Sequence, residues 1–201
     1  SYSAQRLLGQ NNNRLSQVFA RISSGVRIQK GSDDSASLAA SESLNSDART
    51  LRQGVRNLND GLSMLNVADG AIAEETSIVI RMRELATQAA TGTIGQTERQ
   101  TVNLEFGAIR SELDRIAKTT EYNGLKLLNG ALSSSSSESI LLQLGLNSNN
   151  FNQINLNRDV NIKATTAENL GLNTLSVANK NGASTAVENI KKITQKLTDM
   201  R

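Results

Sequence analysis

The side chains that could do chemistry in this 201-residue sequence come from a short menu. There are 19 Asp and Glu, 22 Lys and Arg, and many hydroxyls and amides, but no His and no Cys. Without those two residues, thiol nucleophiles, zinc sites, Ser–His and Cys–His catalytic arrangements and disulfides are excluded. Carboxylates remain, and with them acid–base work or Mg²⁺ and Ca²⁺ binding. Acid–base work needs carboxyl groups held in a pocket, and nothing in the pattern suggests one. The pair Asp33–Asp34 closes the stretch Lys30-Gly31-Ser32-Asp33-Asp34, just ahead of a helical pattern. Its carboxylates fit a first helical turn, where they oppose the dipole and cap free amides. A metal site is the alternative reading, and its spacing matches no calcium loop. No metal or cofactor is expected.

The basic residues do not gather into a run, and the formal net charge is only +3. Nucleic-acid binding is therefore not expected. Arg49, Arg52 and Arg56 could serve a coiled-coil nucleic-acid or membrane adaptor, but they fit a solvated or intersubunit face better. No stretch approaches the roughly 18 apolar residues of a membrane span. Ser1 to Asn13 is polar and mixed, without the apolar run of a conventional signal peptide.

The elements that must position these groups are helical. Aromatics make up 2% of the chain and Pro is absent, so the apolar content is mostly Leu, Ile, Val and Ala. That suits helix seams, and no position forces a kink. Leu44, Ala48, Leu51, Val55, Leu58, Leu62 and Leu65 step by four and three, a heptad seam. It continues less perfectly through Ile72, Val79, Met82, Ala86 and Ala89, with Asp69 and Thr76 as polar interruptions. A helix from 38 to 90 would be roughly 80 Å long, and it needs partners to cover its stripe. Gly54 and Gly61 share one position beside the seam. They are either tolerated weak spots or places where neighbouring helices or subunits approach closely.

Thr91 to Gly95 reads as a turn, and Thr97-Glu98-Arg99-Gln100 as a capping box opening a second helix over 97–118. The seam of that helix is Val102, Phe106, Ile109, Leu113 and Ile116. A returning helix over 184–201 carries Ala186, Ile190, Ile193, Leu197 and Met200. The first segment carries Ala4, Leu8, Leu15, Val18 and Ile22, with Asn11 at a seam position. Between the second and third of these helices, 123–175 changes texture. Asn123-Gly124 and Asn129-Gly130 are turn dipeptides. Ile140, Leu142, Leu144 and Leu146 alternate, as do Ile154 with Leu156 and Val160 with Ile162, which predicts short strands or hairpins. The serine run from Ser133 to Ser137 reads as a flexible exposed loop.

Three blocks carry a family resemblance. Arg21-Ile22-Ser23-Ser24-Gly25-Val26-Arg27-Ile28, followed by Asp33-Asp34 and Leu38-Ala39, resembles the amino-terminal signature of bacterial flagellins. Arg81-Met82-Arg83-Glu84-Leu85-Ala86-Thr87-Gln88-Ala89 is similar to the family's arginine–glutamate–leucine helix end. Glu121-Tyr122-Asn123-Gly124-Leu125-Lys126-Leu127-Leu128 is similar to its asparagine–glycine segment. Ser37, in place of a common glycine, and Gln29-Lys30-Gly31 depart from the pattern.

The resemblance implies a mainly α fold, an elongated antiparallel coiled-coil rod with a small β-hairpin region. Residues 1–24 would be a partial amino-terminal filament-core helix, 25–37 a connecting spoke, and 38–201 the rod-shaped domain. The extreme amino terminus, the carboxyl-terminal core helix and large variable outer domains would be missing, leaving a chain that cannot polymerise alone. The function implied is that of a secreted structural subunit of the extracellular filament, made for motility. Its partners would be other flagellin subunits and the flagellar export and capping machinery. The assembly and coiled-coil seams would be Leu8, Leu15, Val18, Ile22, Leu44, Leu51, Val55, Leu58, Leu62, Leu65, Ile190, Ile193 and Leu197. The resemblance also implies recognition by Toll-like receptor 5 through Arg81, Leu85, Gln88 and Glu105. A bare surface ion pair between Arg81 and Glu105 is the plainer reading. A hook–filament junction protein shares the terminal-helix plan, but would match the second and third blocks less well.

Overall fold

The computed structural model describes residues 2–25 and 34–201, and the chain divides into two compact units, Ser1–Arg52 and Gln53–Arg201. Val26 to Ile28, the Gln29-Lys30-Gly31 stretch, Asp33 and most of the expected spoke lie outside the described residues. The architecture is mainly α with two short antiparallel hairpins, the class expected.

In the first unit, helix α1 spans Tyr2–Ser24 and buries none of its residues. The opening of α2, which spans Ser35–Ala90, also lies here. Asp34 caps it: Oδ1 accepts from the Ser37 amide at 3.0 Å and Oδ2 from the Ser37 hydroxyl at 2.6 Å. An Asp bonded to the amide three residues on satisfies a donor that the first helical turn leaves free.

In the second unit, the rest of α2 is joined by α3 (Gln96–Thr119) and α5 (Lys180–Asp199). Arg81 meets Glu105 across α2 and α3, and Arg99 reaches back to the Ala89 carbonyl, so the two helices run antiparallel. Arg201 meets Asp69, and Lys180 lies beside Gly92, so α5 also runs against α2. The seam of α3 follows the expected spacing, with Val102, Phe106 and Leu113 buried. That of α5 does too, with Ala186, Ile190, Ile193 and Leu197 buried.

Helix α2 buries Ile72, Val79, Met82, Ala86 and Ala89 as expected, but before residue 66 it is turned differently from the expectation. Its buried residues in this unit are Gly54, Gly61, Met64, Ala68, Ile72, Glu75, Val79, Met82, Leu85, Ala86 and Ala89. Val55 and Leu62 face solvent, and Leu58 and Leu65 are half-buried. The leucine stripe is thus displaced by roughly a quarter-turn from the face that packs. The reason is steric. Strand β3 (Leu141–Gln143) pairs with β4 (Gln153–Asn155), Leu142 opposite Ile154, and this hairpin lies directly on the two glycines. A Cβ at Gly54 would overlap the Leu144 carbonyl, and one at Gly61 would overlap Leu142 Cδ1. The close approach is by a hairpin of the same chain, neither a helix nor another subunit. Asn57 secures it, donating from Nδ2 to the Gln143 carbonyl at 2.9 Å.

Other local expectations shift. Strand β1 (Glu121–Tyr122) and β2 (Leu125–Lys126) form a hairpin around Asn123 and Gly124, both at positive φ, as an Asn-Gly turn requires. Helix α3 begins at Gln96 behind Gly95, with no side-chain cap, so Thr97 lies inside the helix and the capping box does not form. Leu146 is exposed, and Val160 and Ile162 belong to no strand; Ile162 reaches the core from an irregular segment.

The serine run is not simply an exposed loop. Ser133 is buried, and turn bonds join its amide to the Gly130 carbonyl and its own carbonyl to the Ser136 amide. Its organiser is the buried Asn157 of α4 (Leu156–Asp159). Asn157 Oδ1 accepts from the Ile140 amide at 2.7 Å, while Nδ2 donates to the carbonyls of Ala131, Ser133 and Glu138. An amide can hold irregular backbone this way because it both donates and accepts.

Gly54→Ala is expected to destabilise the second unit by roughly 1–3 kcal/mol, the usual cost of forcing extra volume into a packed site. Gly70→Ala, where a Cβ would meet nothing within 4 Å, should instead be neutral or stabilising by up to about 1 kcal/mol. Paired denaturant unfolding curves check both, and equal effects would contradict the seating of the hairpin on Gly54.

Candidate interaction surfaces

Two kinds of surface stand out: apolar stripes without a cover, and a small charged cluster on the second unit.

Helix α1 is amphipathic. Leu8, Leu15, Val18 and Ile22 are exposed, as are Leu7 and Phe19, which the seam reading passed over. Leu7 and Phe19 sit next to Leu8 and Val18, so they broaden the stripe; their hydrophobicity was the available signal. A 23-residue helix that buries nothing gains little in water, since most helical stability in proteins comes from packing an apolar face. In the same unit Leu44 and Leu51 of α2 are also exposed.

Within the second unit, the displaced stripe on α2 leaves Leu62 51% exposed and Val55 58% exposed. Val67 and Ile80 add further exposed apolar surface to this helix. The residues Ile190, Ile193 and Leu197 behave differently. They belong to the expected assembly and coiled-coil seams, and they are buried in the unit's own core. Their apolar area is already spent within the unit, which removes them from the set of open stripes.

The charged cluster sits where α2 and α3 lie side by side. Arg81 donates from Nη1 to Glu84 Oε2 and from Nη2 to Glu105 Oε1, both at 2.9 Å. Glu84 first, then Glu105, raise the Arg81 pKa above its ordinary value. All three side chains are about half exposed, so the pairing is well screened by water. Gln88 is exposed on the same helix. Leu85 is not part of this surface. It is 1% exposed and belongs to the core, lying with the buried Met82 and Ala89 at steps of three and four, while Arg81 sits at the edge of that face. Leu104, next to Glu105 in sequence, is exposed on α3.

The register that brings Arg81 to Glu105 is fixed nearby by Arg99. It is buried and donates Nε to the Ala89 carbonyl at 2.8 Å and Nη2 to the carbonyls of Thr91 and Ile94, both at 3.2 Å. Those carbonyls belong to the end of α2 and the following turn, where helical acceptors have no partner of their own. By motif, Arg99 falls inside a capping box for α3. It serves the other helix, at its carboxyl end, where a cation also suits the dipole.

No cluster of three or more Asp, Glu, His or Cys capable of holding a metal occurs among the described residues. No described helix is long and apolar enough to cross a membrane. Arg49, Arg52 and Arg56 are exposed, and Arg56 is bonded along its own helix to Gln53.

Comparison with known proteins adds to this geometry. Residues 1–133 match the model of the bacterial flagellin N-terminal helical region. The chain is 44% identical to flagellin A of Vibrio cholerae over 149 residues, covering 71% of this chain and 39% of that protein. It is 34% identical to the flagellar filament 30.7 kDa core protein of Treponema maltophilum over 172 residues, covering 86% and 59% respectively. The fold is similar to the crystal structure of Bacillus cereus flagellin, with a TM-score of 0.58 and 29% identity over 73% of this chain and 78% of that one. The chain thus spans about two fifths of the length of the Vibrio relatives that it matches.

Proposed function

The chain belongs to the flagellin family, and on that premise we propose that it is a structural subunit of a bacterial flagellar filament, joined to its neighbours through the uncovered stripes of α1 and α2. Flagellins are structural proteins, and the chain is not an enzyme. The observation that carries the assembly reading is α1. Its apolar residues Leu7, Leu8, Leu15, Val18, Phe19 and Ile22 are all exposed. Such a face marks an interaction surface, and a helical stripe of this kind is covered most readily by another helix. A contact repeated between different faces of successive copies does not close, and so grows an open helical polymer. The flagellum is the site of action. Secretion through the flagellar export apparatus and handling by the capping machinery follow from the family likeness.

In cells that depend on this sequence for their filament, Leu15→Asp combined with Ile22→Asp is expected to abolish filament growth. The thermal unfolding of the second unit should be unchanged. Electron microscopy of the cells and calorimetry of the purified chain provide the two readouts, and normal filaments from the double variant would contradict the proposal.

A second reading concerns immune recognition at Arg81, Gln88 and Glu105. The supporting observation is that one arginine is held at the surface by carboxylates from both α2 and α3, with Gln88 exposed two turns further along α2. An arginine is a common centre of binding energy at interfaces. Leu85 is buried and is left out of this surface. Arg81→Ala and Glu105→Ala are each expected to weaken binding to the Toll-like receptor 5 ectodomain by about tenfold or more, with little change in folding. Surface plasmon resonance would decide, and unchanged affinity in both variants would refute the assignment.

A further inference from the structure

The cleft between the serine run and the segment after α4 is used by neither the filament nor the receptor reading. It encloses about 530 Å³ and is lined chiefly by Ser133 to Ser136, Lys163, Ala164 and Asn169. That volume lies in the range of small-molecule sites, but the lining is of a different kind from the usual apolar one. It holds no aromatic ring, no large apolar side chain and no carboxylate. Hydroxyls, one carboxamide and one ammonium group supply its side-chain chemistry.

The two walls are fixed by bonds that leave donors of the lining free. Asn157 binds the carbonyls of Ala131, Ser133 and Glu138 around the serine turn. Asn161, at a φ of 51°, accepts the Ser134 amide on Oδ1 at 2.8 Å and so joins one wall to the other. Few residues other than glycine enter this left-handed region, and Asn is among those that do. The Ser136 hydroxyl accepts from the Glu138 amide at 3.3 Å and keeps its own proton to give. Asn169 spends one Nδ2 hydrogen on Thr166 Oγ1 at 2.7 Å, and a second remains. The Ser134 hydroxyl and the Ala164 amide have no partner among the described residues.

The charge on the cleft is positive and unspent. Lys163 is exposed and forms no ion pair among the described residues. A second hollow of about 380 Å³ shares Lys163, Ala164 and Asn169 with the first and adds Lys196 of α5. Lys196 is likewise without an ion pair among the described residues. Asp199 is the one carboxylate on either lining, and it belongs to the second hollow. An ammonium group is a point charge on a flexible stem, able to meet any oxygen of a phosphate or sulfate, whereas the planar fork of Arg, absent from both linings, is what matches a carboxylate. Neutral hydroxyl and amide donors can serve the oxygens that the lysine leaves.

We propose that this cleft binds a tetrahedral oxyanion, a phosphate or sulfate group, either free or carried on a small hydroxylated molecule. Lys163 supplies the charge, and Ser134, Ser136 and Asn169 supply hydrogen bonds. A bare ion would leave much of the cleft to water. A hydroxylated body would instead find serine hydroxyls, which both donate and accept.

The test is an amide NMR titration of the whole 201-residue chain at constant ionic strength, with inorganic phosphate, inorganic sulfate, glucose 6-phosphate and glucose added separately. The three oxyanions are expected to shift the Ser134, Ala164 and Asn169 amides saturably, and glucose to leave them in place. Tighter binding of glucose 6-phosphate than of phosphate would identify an ester as the ligand, and the reverse order the free ion; either upholds an oxyanion site. Lys163→Met should weaken binding by roughly fivefold, while Lys163→Arg, which keeps the charge, should weaken it less. Ser134→Ala combined with Ser136→Ala should weaken it with Lys163 intact. The absence of a saturable shift with every oxyanion would overturn the proposal, as would an equal response to glucose or an unchanged affinity in Lys163→Met.

Discussion

Everything in the second unit is arranged around the narrow face of α2 that runs from Gly54 through Ala68 and Val79 to Ala89. Along that face the helix presents Gly, Ala and slim or flexible side chains, so other parts of the chain can approach its backbone closely. The hairpin of β3 and β4 sits on Gly54 and Gly61. Helices α3 and α5 run back along the remainder, and the irregular segment after α4 is joined to it through Glu75 and Thr165. Close approach is what lets so few aromatics make a core. Phe106 is the single aromatic among the fully buried side chains, and the rest of the packing is aliphatic. With the small face occupied, the leucines a quarter-turn away are left at the surface.

The helices were legible in the sequence because their apolar spacing is strong and Pro is absent. The seams of α3 and α5 could be read directly, since there the large residues are also the buried ones. In α2 that equivalence fails. Hydrophobic periodicity weights Leu51, Val55, Leu58 and Leu62 above Gly54 and Gly61, whereas the packing favours residues that leave room. Two candidate stripes existed, and the pattern alone could not say which one the chain would cover for itself. The same reasoning misplaced Leu85, whose neighbour in the motif is a surface arginine but whose own position falls on the packed face.

What could not be read were polar groups whose role depends on distant partners. Arg99 closes the end of α2, not the start of α3. Asn157 binds backbone groups up to 26 residues away in sequence. Glu75 meets Thr165 across 90 residues. Such pairings have no local periodicity, and a lone Glu among Ala and Ile looks like any surface residue. Asp34 was the exception because its partner lies three residues on, within a capping motif that is itself local.

The proposed assembly rests on the division of surfaces on α2. One face serves the fold of the unit, and the other keeps a leucine stripe that the unit does not cover. The absence of Cys makes this directly measurable with single thiols. In the free chain, Leu62→Cys should react with a thiol reagent at close to the rate of an unhindered thiol, and Ala68→Cys should be protected. In filaments containing the same substitutions, both should be protected. If the thiol at position 62 were already shielded in the free chain, or stayed fully reactive in the filament, the stripe would not be the assembly surface.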